Sequence, residues 1–289
     1  MFDVICNAVS GSGKREKFLL GVKKAFADAG ETVVFHSPSS AEETREVVRN
    51  LSLSGQKNIV AMGGDGTLNT VLNGIADFSN VSLGLLPCGS GNDFAARIGI
   101  PEHPEKAVRI LLDKPPKDTD FYECSGVRGI NAIGAGIDVE ILETYAKMKV
   151  FHGKMKYLAS LIKVLFGFDL YPMSLFRNGR EERHSALIVC AANGATIGGG
   201  IQICPEAVPD DGLLDLVLID NIPKRKIPAA FANLMRGKIL NQQYTLHEKT
   251  DFVKAVFDRP VSVQIDGEIY PDLPFDVRVI SGLLKMYRP

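Results

Sequence analysis

The sequence predicts an α/β domain, a parallel sheet with helices on both faces, followed by a β-sandwich domain. Three observations carry this reading. Short apolar runs alternate with helical patterns over the first third of the chain, as strands do when helices cover both faces of a sheet. The pattern changes after Lys114-Pro115-Pro116 to short β-like runs separated by turn residues. Two of the early strands run directly into polar, glycine-rich turns, at "GGDGT" and "GSGND".

Taken in order, "FDVICN" (2–7) reads as a buried strand, and 16–29 as a helix with Phe18, Leu19, Val22, Ala25 and Phe26 on one face. "TVVFHS" is a second strand and 41–51 a second helix; "KNIVAMG" is a third strand and 68–77 a third helix. "SLGLLPCG" is the fourth strand. Beyond the prolines, "FYECSGV", "RGINAIGAG", "MSLFRNG", "SALIVCAANG", "LLDLVLID" and "VSVQIDGEIY" are short strands of an antiparallel sandwich, with helices inserted near 138–149 and 157–168. The expected domains are 1–117 and 118–282, with 283–289 returning to the first.

Composition bounds the function. The 289 residues are 45% hydrophobic and 23% charged, with a formal net charge of -1. These values suit a globular protein and supply no global positive field for nucleic acid. The longest uncharged apolar run, 186–195, is interrupted by Asn193 and Gly194 and is far short of a membrane span. Asp3 stands where a secretory leader would be basic, so a cytoplasmic protein is expected. The five cysteines are scattered and never form a C-x-x-C pair, and no H-E-x-x-H occurs. The cysteines therefore read as small buried hydrophobes in a reducing compartment, not as a disulfide frame or a zinc site, and zinc chemistry is not expected.

The glycine loops separate by fingerprint. "NAVSGSGKRE" has Ala8 where a P-loop needs its first glycine and Arg15 where Ser or Thr should follow Lys14. "GAGIDV" lacks the third glycine of the dinucleotide pattern. "MGGDGTLN" is stronger: glycines after a strand bring bare backbone close to a ligand, where ligands of parallel sheets bind. "PCGSGNDFA" adds a second such turn at the same sheet edge.

Together, "GGDGTLN" and "PCGSGNDFA" resemble the diacylglycerol kinase and sphingosine kinase family of lipid kinases. The resemblance continues in order through Gly198-Gly199-Gly200, "PEAVPDDGLLDLVLI" and "VQIDGE", over essentially the whole chain. It implies an ATP-dependent lipid kinase that uses Mg2+, with its active site in a cleft between the two domains. Gly63, Gly64, Asp65, Gly66, Thr67 and Asn69 correspond to the family's phosphate-binding turn. Ser90 and Asn92 lie in the second loop; Asn7, Ser10 and Gly11 would border the nucleotide, and Ser37 would touch it. Asp211, with the carbonyls of Val208 and Leu213, would hold the metal. Glu268 corresponds to the family's general base, Asp266 stands two residues before it as the alternative, and Asp65 completes the catalytic set. Ala8, Thr70 and Ser90 depart from the family's usual Pro, Glu and Thr.

Two further readings stay open: an NAD kinase or phosphofructokinase relative, which shares G-G-D-G, and a non-catalytic lipid- or nucleotide-binding relative. "KMKVFHGKMKYLASLIKVLFGF" (147–168) carries five lysines among apolar residues. It reads either as a packed helix with solvated lysines or as a surface for peripheral contact with an anionic inner membrane. The identity of the lipid and the oligomeric state are not legible.

Overall fold

The computed structural model, which describes residues 1–6, 13–148, 153–165, 167 and 169–289, divides into two units, Met1–Asp120 with Ser281–Pro289, and Phe121–Ile280. The first unit is built from β1 (Phe2–Cys6), α1 (Gly13–Asp28), β2 (Val33–His36), α2 (Ala41–Leu53), β3 (Asn58–Gly63), α3 (Asp65–Gly74), β4 (Ser82–Pro87), α4 (Asp93–Arg97) and α5 (Pro104–Asp113). Its sheet runs β2-β1-β3-β4, all parallel. Val4, Ile5, Ile59, Val60, Ala61 and Leu83 are fully buried, as strands covered on both faces must be, which is why they read as unbroken apolar runs.

Helix α1 packs on α5, and α2 on α3. The sheet grows in one direction from β1 to β2 and in the other from β2 to β3 and β4. Right-handed crossovers then put α1 on one face and α2 and α3 on the opposite one. The strand order reverses between β1 and β3, so the loops after these two strands leave the same sheet edge toward opposite faces. Such a switch point is where open α/β sheets bind ligands.

Helix α3 begins at Asp65, not at 68 as the sequence suggested. Gly64 is its N-cap, and Thr67, Leu68 and Asn69 are already buried in it. Half of the apparent glycine turn is therefore the first turn of a helix. Helices α4 and α5 were not anticipated, although Pro104 at the start of α5 is a recognisable helix-start signal.

The second unit contains β5 (Pro116–Cys124), shared with the first, then β6 (Val127–Gly129), β7 (Ala132–Gly136), α6 (Ile137–Lys147), α7 (Gly153–Leu165), β8 (Tyr171–Arg177), β9 (Arg180–Ala192) and β10 (Leu214–Asp220). It continues through α8 (Ile227–Met235), β11 (Thr245–Thr250), β12 (Phe252–Phe257), β13 (Val263–Ile265), β14 (Glu268–Tyr270) and β15 (Phe275–Tyr287). Pairing is antiparallel along β14-β13-β7-β9-β8-β12-β15, with β10 bridging β9 and β11. Beyond Ile280, Lys285 and Met286 of β15 pair in parallel with Ser82 and Leu83 of β4, adding a strand to the first unit's sheet.

The side-chain period of two sorts β10 between two cores. Leu214, Leu216 and Leu218 enter one with Ile133, Val189 and Val263, while Val217 and Ile219 enter the other with Ile137, Cys190 and Ile203. Helix α8, also absent from the sequence expectation, lies over the second of these cores through Ile227 and Ala230.

Candidate active site

In the first unit the two glycine-rich turns meet backbone to backbone. A Cβ at Gly89 would lie 2.4 Å from the Cα of Gly64, and one at Gly63 only 2.2 Å from Thr67 Oγ1. No side chain fits at either position, which gives these glycines a packing reason beyond flexibility. The Asp65 carboxylate accepts the backbone N–H groups of Asp93 and Phe94, both at 3.1 Å, and so ties the start of α3 to the start of α4. Asn92 is buried in the left-handed conformation at φ 56°. Its Oδ1 accepts the Gly89 N–H at 3.0 Å, and its Nδ2 donates to the Gly89 carbonyl at 3.0 Å and to Glu102 Oε1 at 2.8 Å. The Thr70 hydroxyl turns back to the Gly66 carbonyl at 2.8 Å.

Gly63, Asp65, Thr67, Asn69 and Asn92 thus build the loops from inside, whereas Gly66, Ser90 and Ser37 are exposed. The first turn of α3, at the sheet's switch point, carries the positive end of a helix dipole, a feature that binds phosphate. Asn7, Ser10 and Gly11 lie outside the described residues.

In the second unit, Asp266 and Gly267 form the two-residue turn between β13 and β14, with φ 49° and 91°. This is the primed hairpin geometry that Asp-Gly favours. The Asp266 carboxylate is fully engaged: it accepts from Ile130 N–H at 2.8 Å, Asn131 N–H at 2.9 Å, Ala132 N–H at 3.0 Å and the Tyr122 hydroxyl at 2.9 Å. Burial, and next the neighbouring carboxylate, push the Tyr122 phenol well above its ordinary range, so it remains a donor. Asp266 therefore positions the turn, and Glu268, the next residue but one, is the exposed carboxylate that the turn presents.

A residue that sequence reasoning missed stands behind this turn. Gln264 of β13 accepts the Gly267 N–H on Oε1 at 2.9 Å. Its amide nitrogen and Asp138 Oδ2 converge on Gly134, where an added Cβ would lie 3.0 Å from the first and 2.0 Å from the second. "GAGID" is thus a strand-to-helix junction whose Gly134 leaves room for a buried acid. Asp138 is 4% exposed, and among the described residues no hydrogen bond of good geometry reaches either of its carboxylate oxygens. Burial raises its carboxyl to about 7, against partial relief from the Val139 N–H and Gln264. An acid enclosed by apolar residues in "AIGAGIDVEIL" was the available signal.

Asp138 lines an apolar cavity of about 60 Å³. The remaining wall is branched aliphatic and aromatic, including Ile141, Leu187, Ile203, Ile227 and Phe231. Such a wall binds hydrocarbon and offers nothing to a nucleotide base.

Asp211 carries two contacts in the described residues. One carboxylate oxygen accepts the Leu213 N–H at 3.1 Å, and the other takes the Lys249 ammonium at 2.6 Å. Lys249 also reaches Asp215 at 3.1 Å, and the two carboxylates hold its ammonium above the ordinary lysine range despite burial, which acts the other way. The set expected here, the Asp211 carboxylate with the carbonyls of Val208 and Leu213, is oxygen-only, the kind that suits Mg2+, and Lys249 would share the carboxylate with such an ion.

The comparisons with known proteins agree with this architecture. A family profile described as "Diacylglycerol kinase catalytic domain" matches residues 2–124, and one described as "YegS C-terminal NAD kinase beta sandwich-like domain" matches 131–288. The chain is 26% identical to a diacylglycerol kinase of Bacillus subtilis over 94% of this chain and 90% of that one. It is 34% identical to a Chromohalobacter salexigens protein named "Probable lipid kinase YegS-like" over 84% of this chain and 79% of that one. Among solved structures, a diacylglycerol kinase from Bacillus anthracis superposes with a TM-score of 0.81 at 20% identity, covering 100% of this chain and 96% of the other. An NAD kinase from Archaeoglobus fulgidus, solved with ATP, shares the fold at a TM-score of 0.54 and 14% identity, over 100% and 94% of the two chains. With both halves matched and a relative above 30% identity, the chain belongs to the diacylglycerol kinase and YegS-like family of lipid kinases.

Proposed function

We propose that the protein transfers the γ-phosphoryl group of ATP to the hydroxyl of a diacylglycerol-like or sphingoid-like lipid. The observation that carries this reading is the polar string in the second unit. It runs from the turn bearing Glu268, through Gln264, to the Asp138 carboxyl at the wall of an apolar cavity. A lipid acceptor needs this combination: apolar walls for the chain, polar groups for the head and a solvent-facing base for its hydroxyl.

In this reading the backbone N–H groups of Gly64–Gly66 and the hydroxyl of Ser90 hold the nucleotide's phosphates. Glu268 accepts the proton of the lipid hydroxyl as its oxygen bonds to the γ-phosphorus. The bond from that phosphorus to the β,γ-bridging oxygen breaks, leaving ADP and a phosphorylated lipid. Mg2+ accompanying ATP would offset charge on the phosphates, as in other kinases. Helix α7 supports contact with a membrane surface, because Met155 and Ile162 are exposed two turns apart on one face, with Lys163 beside them.

The test is an ATP-dependent phosphorylation assay with diacylglycerol or sphingosine in micelles and with NAD, on the natural chain and on Ala230→Leu, which narrows the cavity. Lipid phosphorylation is expected, with a raised KM for the lipid and an unchanged KM for ATP in the variant. Phosphorylation of NAD but of neither lipid would reject the reading.

A further inference from the structure

Cys204, Asp215 and His247 are far apart in sequence, yet their ligating atoms all lie within 4.8 Å of one another. The sheet register explains the meeting. Asp215 of β10 pairs with Lys249 of β11, and His247, two residues from Lys249, projects from the same face. Cys204 is held beneath them by its N–H to the Ala195 carbonyl at 3.1 Å. Cys204 and Asp215 are buried, and His247 keeps a 20% exposed side chain.

A nucleophilic triad does not fit this geometry. One imidazole nitrogen, Nε2, meets both partners, Asp215 Oδ1 at 2.7 Å and Cys204 Sγ at 3.7 Å. A proton relay needs the two ring nitrogens to divide those tasks. Burial, and next the charge of Asp215, also push the thiol up to about 12, which suppresses thiolate reactivity without a cation. A sulfur, an imidazole nitrogen and a carboxylate oxygen converging on one point are instead the donors that tetrahedral zinc takes.

We propose that Cys204, Asp215 and His247 bind one Zn2+ ion, with water from the His247 side as the fourth ligand. Zinc bond lengths place neighbouring tetrahedral ligands roughly 3.3–3.6 Å apart. The S–N pair therefore stands near its liganded separation, and the N–O pair opens slightly when the metal replaces the shared proton. Binding releases the Cys204 proton, and the imidazole that ligates through Nε2 keeps its proton on Nδ1. The ion, the thiolate and Asp215 then sum to zero charge, and Lys249 remains paired with Asp211. Lys249 on the outer oxygen of Asp215 is the kind of supporting contact that fixes a ligating carboxylate. This pair of roles explains why a lysine can stand beside a metal ion without being expelled.

The experiment titrates Co2+, a visible stand-in for Zn2+, into the full chain after chelator treatment. A near-ultraviolet thiolate-to-Co2+ charge-transfer band should grow to one equivalent and disappear on adding Zn2+. Cys204→Ser, shown folded by circular dichroism, should lack the band, while Cys88→Ser should keep it. His247→Gln should weaken Co2+ binding at least about tenfold, the lower bound for loss of a supporting group at a metal site. On the natural chain alone, Zn2+ should release about one proton per ion at neutral pH, because a coordinating thiol is deprotonated outright. No band at saturating Co2+, a band that survives in Cys204→Ser, or Zn2+ binding without proton release would each overturn the assignment. None of these readouts involves phosphoryl transfer, so they stand or fall apart from the kinase reading.

Discussion

Replacing Asp138 with Asn should change how stability depends on pH, and both sign and size follow from its burial. The carboxyl is raised from 3.8 to about 7 in the folded protein, chiefly by loss of solvation. Its unfolded counterpart ionises near 3.8, so between these values the folded chain holds a proton that the unfolded chain has released. Stability from this group is fully present below the unfolded value and is lost as pH rises through the folded one. Linkage gives a slope of about 1.4 kcal/mol per pH unit across that window and roughly 4 kcal/mol in all. Asn has nearly the same shape and no proton to release. The natural chain should therefore lose about 2 kcal/mol between pH 5 and 7 relative to Asp138→Asn, with little further divergence above pH 8. Two units need not unfold together, so hydrogen exchange of the β7 and β9 amides is the suitable assay, since it reports the opening of the unit that holds Asp138. Parallel pH profiles for the two proteins would show that Asp138 is solvated or partnered, and the argument for a polar terminus at the cavity would fail with it.

The remaining expectations concern the rest of the site. Glu268→Gln should lower kcat by about 10²–10⁴-fold with unaltered stability, because the side chain is exposed. Asp266→Ala should cost about 3 kcal/mol in urea unfolding, since three N–H groups and the Tyr122 hydroxyl lose their acceptor; the reverse pattern would make Asp266 the base. Asp65→Ala removes the shared acceptor at the start of α4, worth about 1 kcal/mol, and should raise the KM for ATP more than it lowers kcat. A fall in kcat at constant KM would give Asp65 a chemical role. Asp211→Ala should raise the Mg2+ concentration for half-maximal activity, and an unchanged requirement would leave Asp211 as a partner of Lys249 alone. Met155→Ser with Ile162→Ser in α7 should weaken binding to anionic vesicles in a flotation assay, and unchanged flotation would remove α7 from the membrane surface.

The fold was largely legible because its signals are local. Continuous apolar runs with intervening helical periods specify a doubly covered parallel sheet, and the runs after Pro116 specify antiparallel strands. What was missed has equally physical causes. The start of α3 was masked by glycines, which suggest a turn, although Gly64 serves as a helix cap and Gly66 faces open space within the first turn. Helix α8 was obscured by flanking basic and proline residues in "NIPKRKIPAAFANLMRGK", yet Pro228 stands in the first turn of the helix, where proline is tolerated.

The site divides along a different line. Residue types and order identified the turns, but not which carboxylates within them are free to react. Asp65 and Asp266 each sit in a polar motif and each has both oxygens bonded, to the N–H groups of α4 and to Tyr122 and the backbone after β6. Only pairing decides this, and the partners lie 28 to 144 residues away. Glu268 and Asp138 are the complementary cases, one exposed on a turn that Asp266 holds rigid and one buried without a full set of donors. A carboxylate that must accept a proton from substrate cannot also be saturated by main-chain donors, since each such bond stabilises the charged form and lowers its basicity. That criterion ranks Glu268 above Asp266 as the base, although the sequence presents the two as near equals. It also gives the Asp before the Gly a role of its own: its saturated carboxylate fixes the hairpin from which the exposed Glu268 projects.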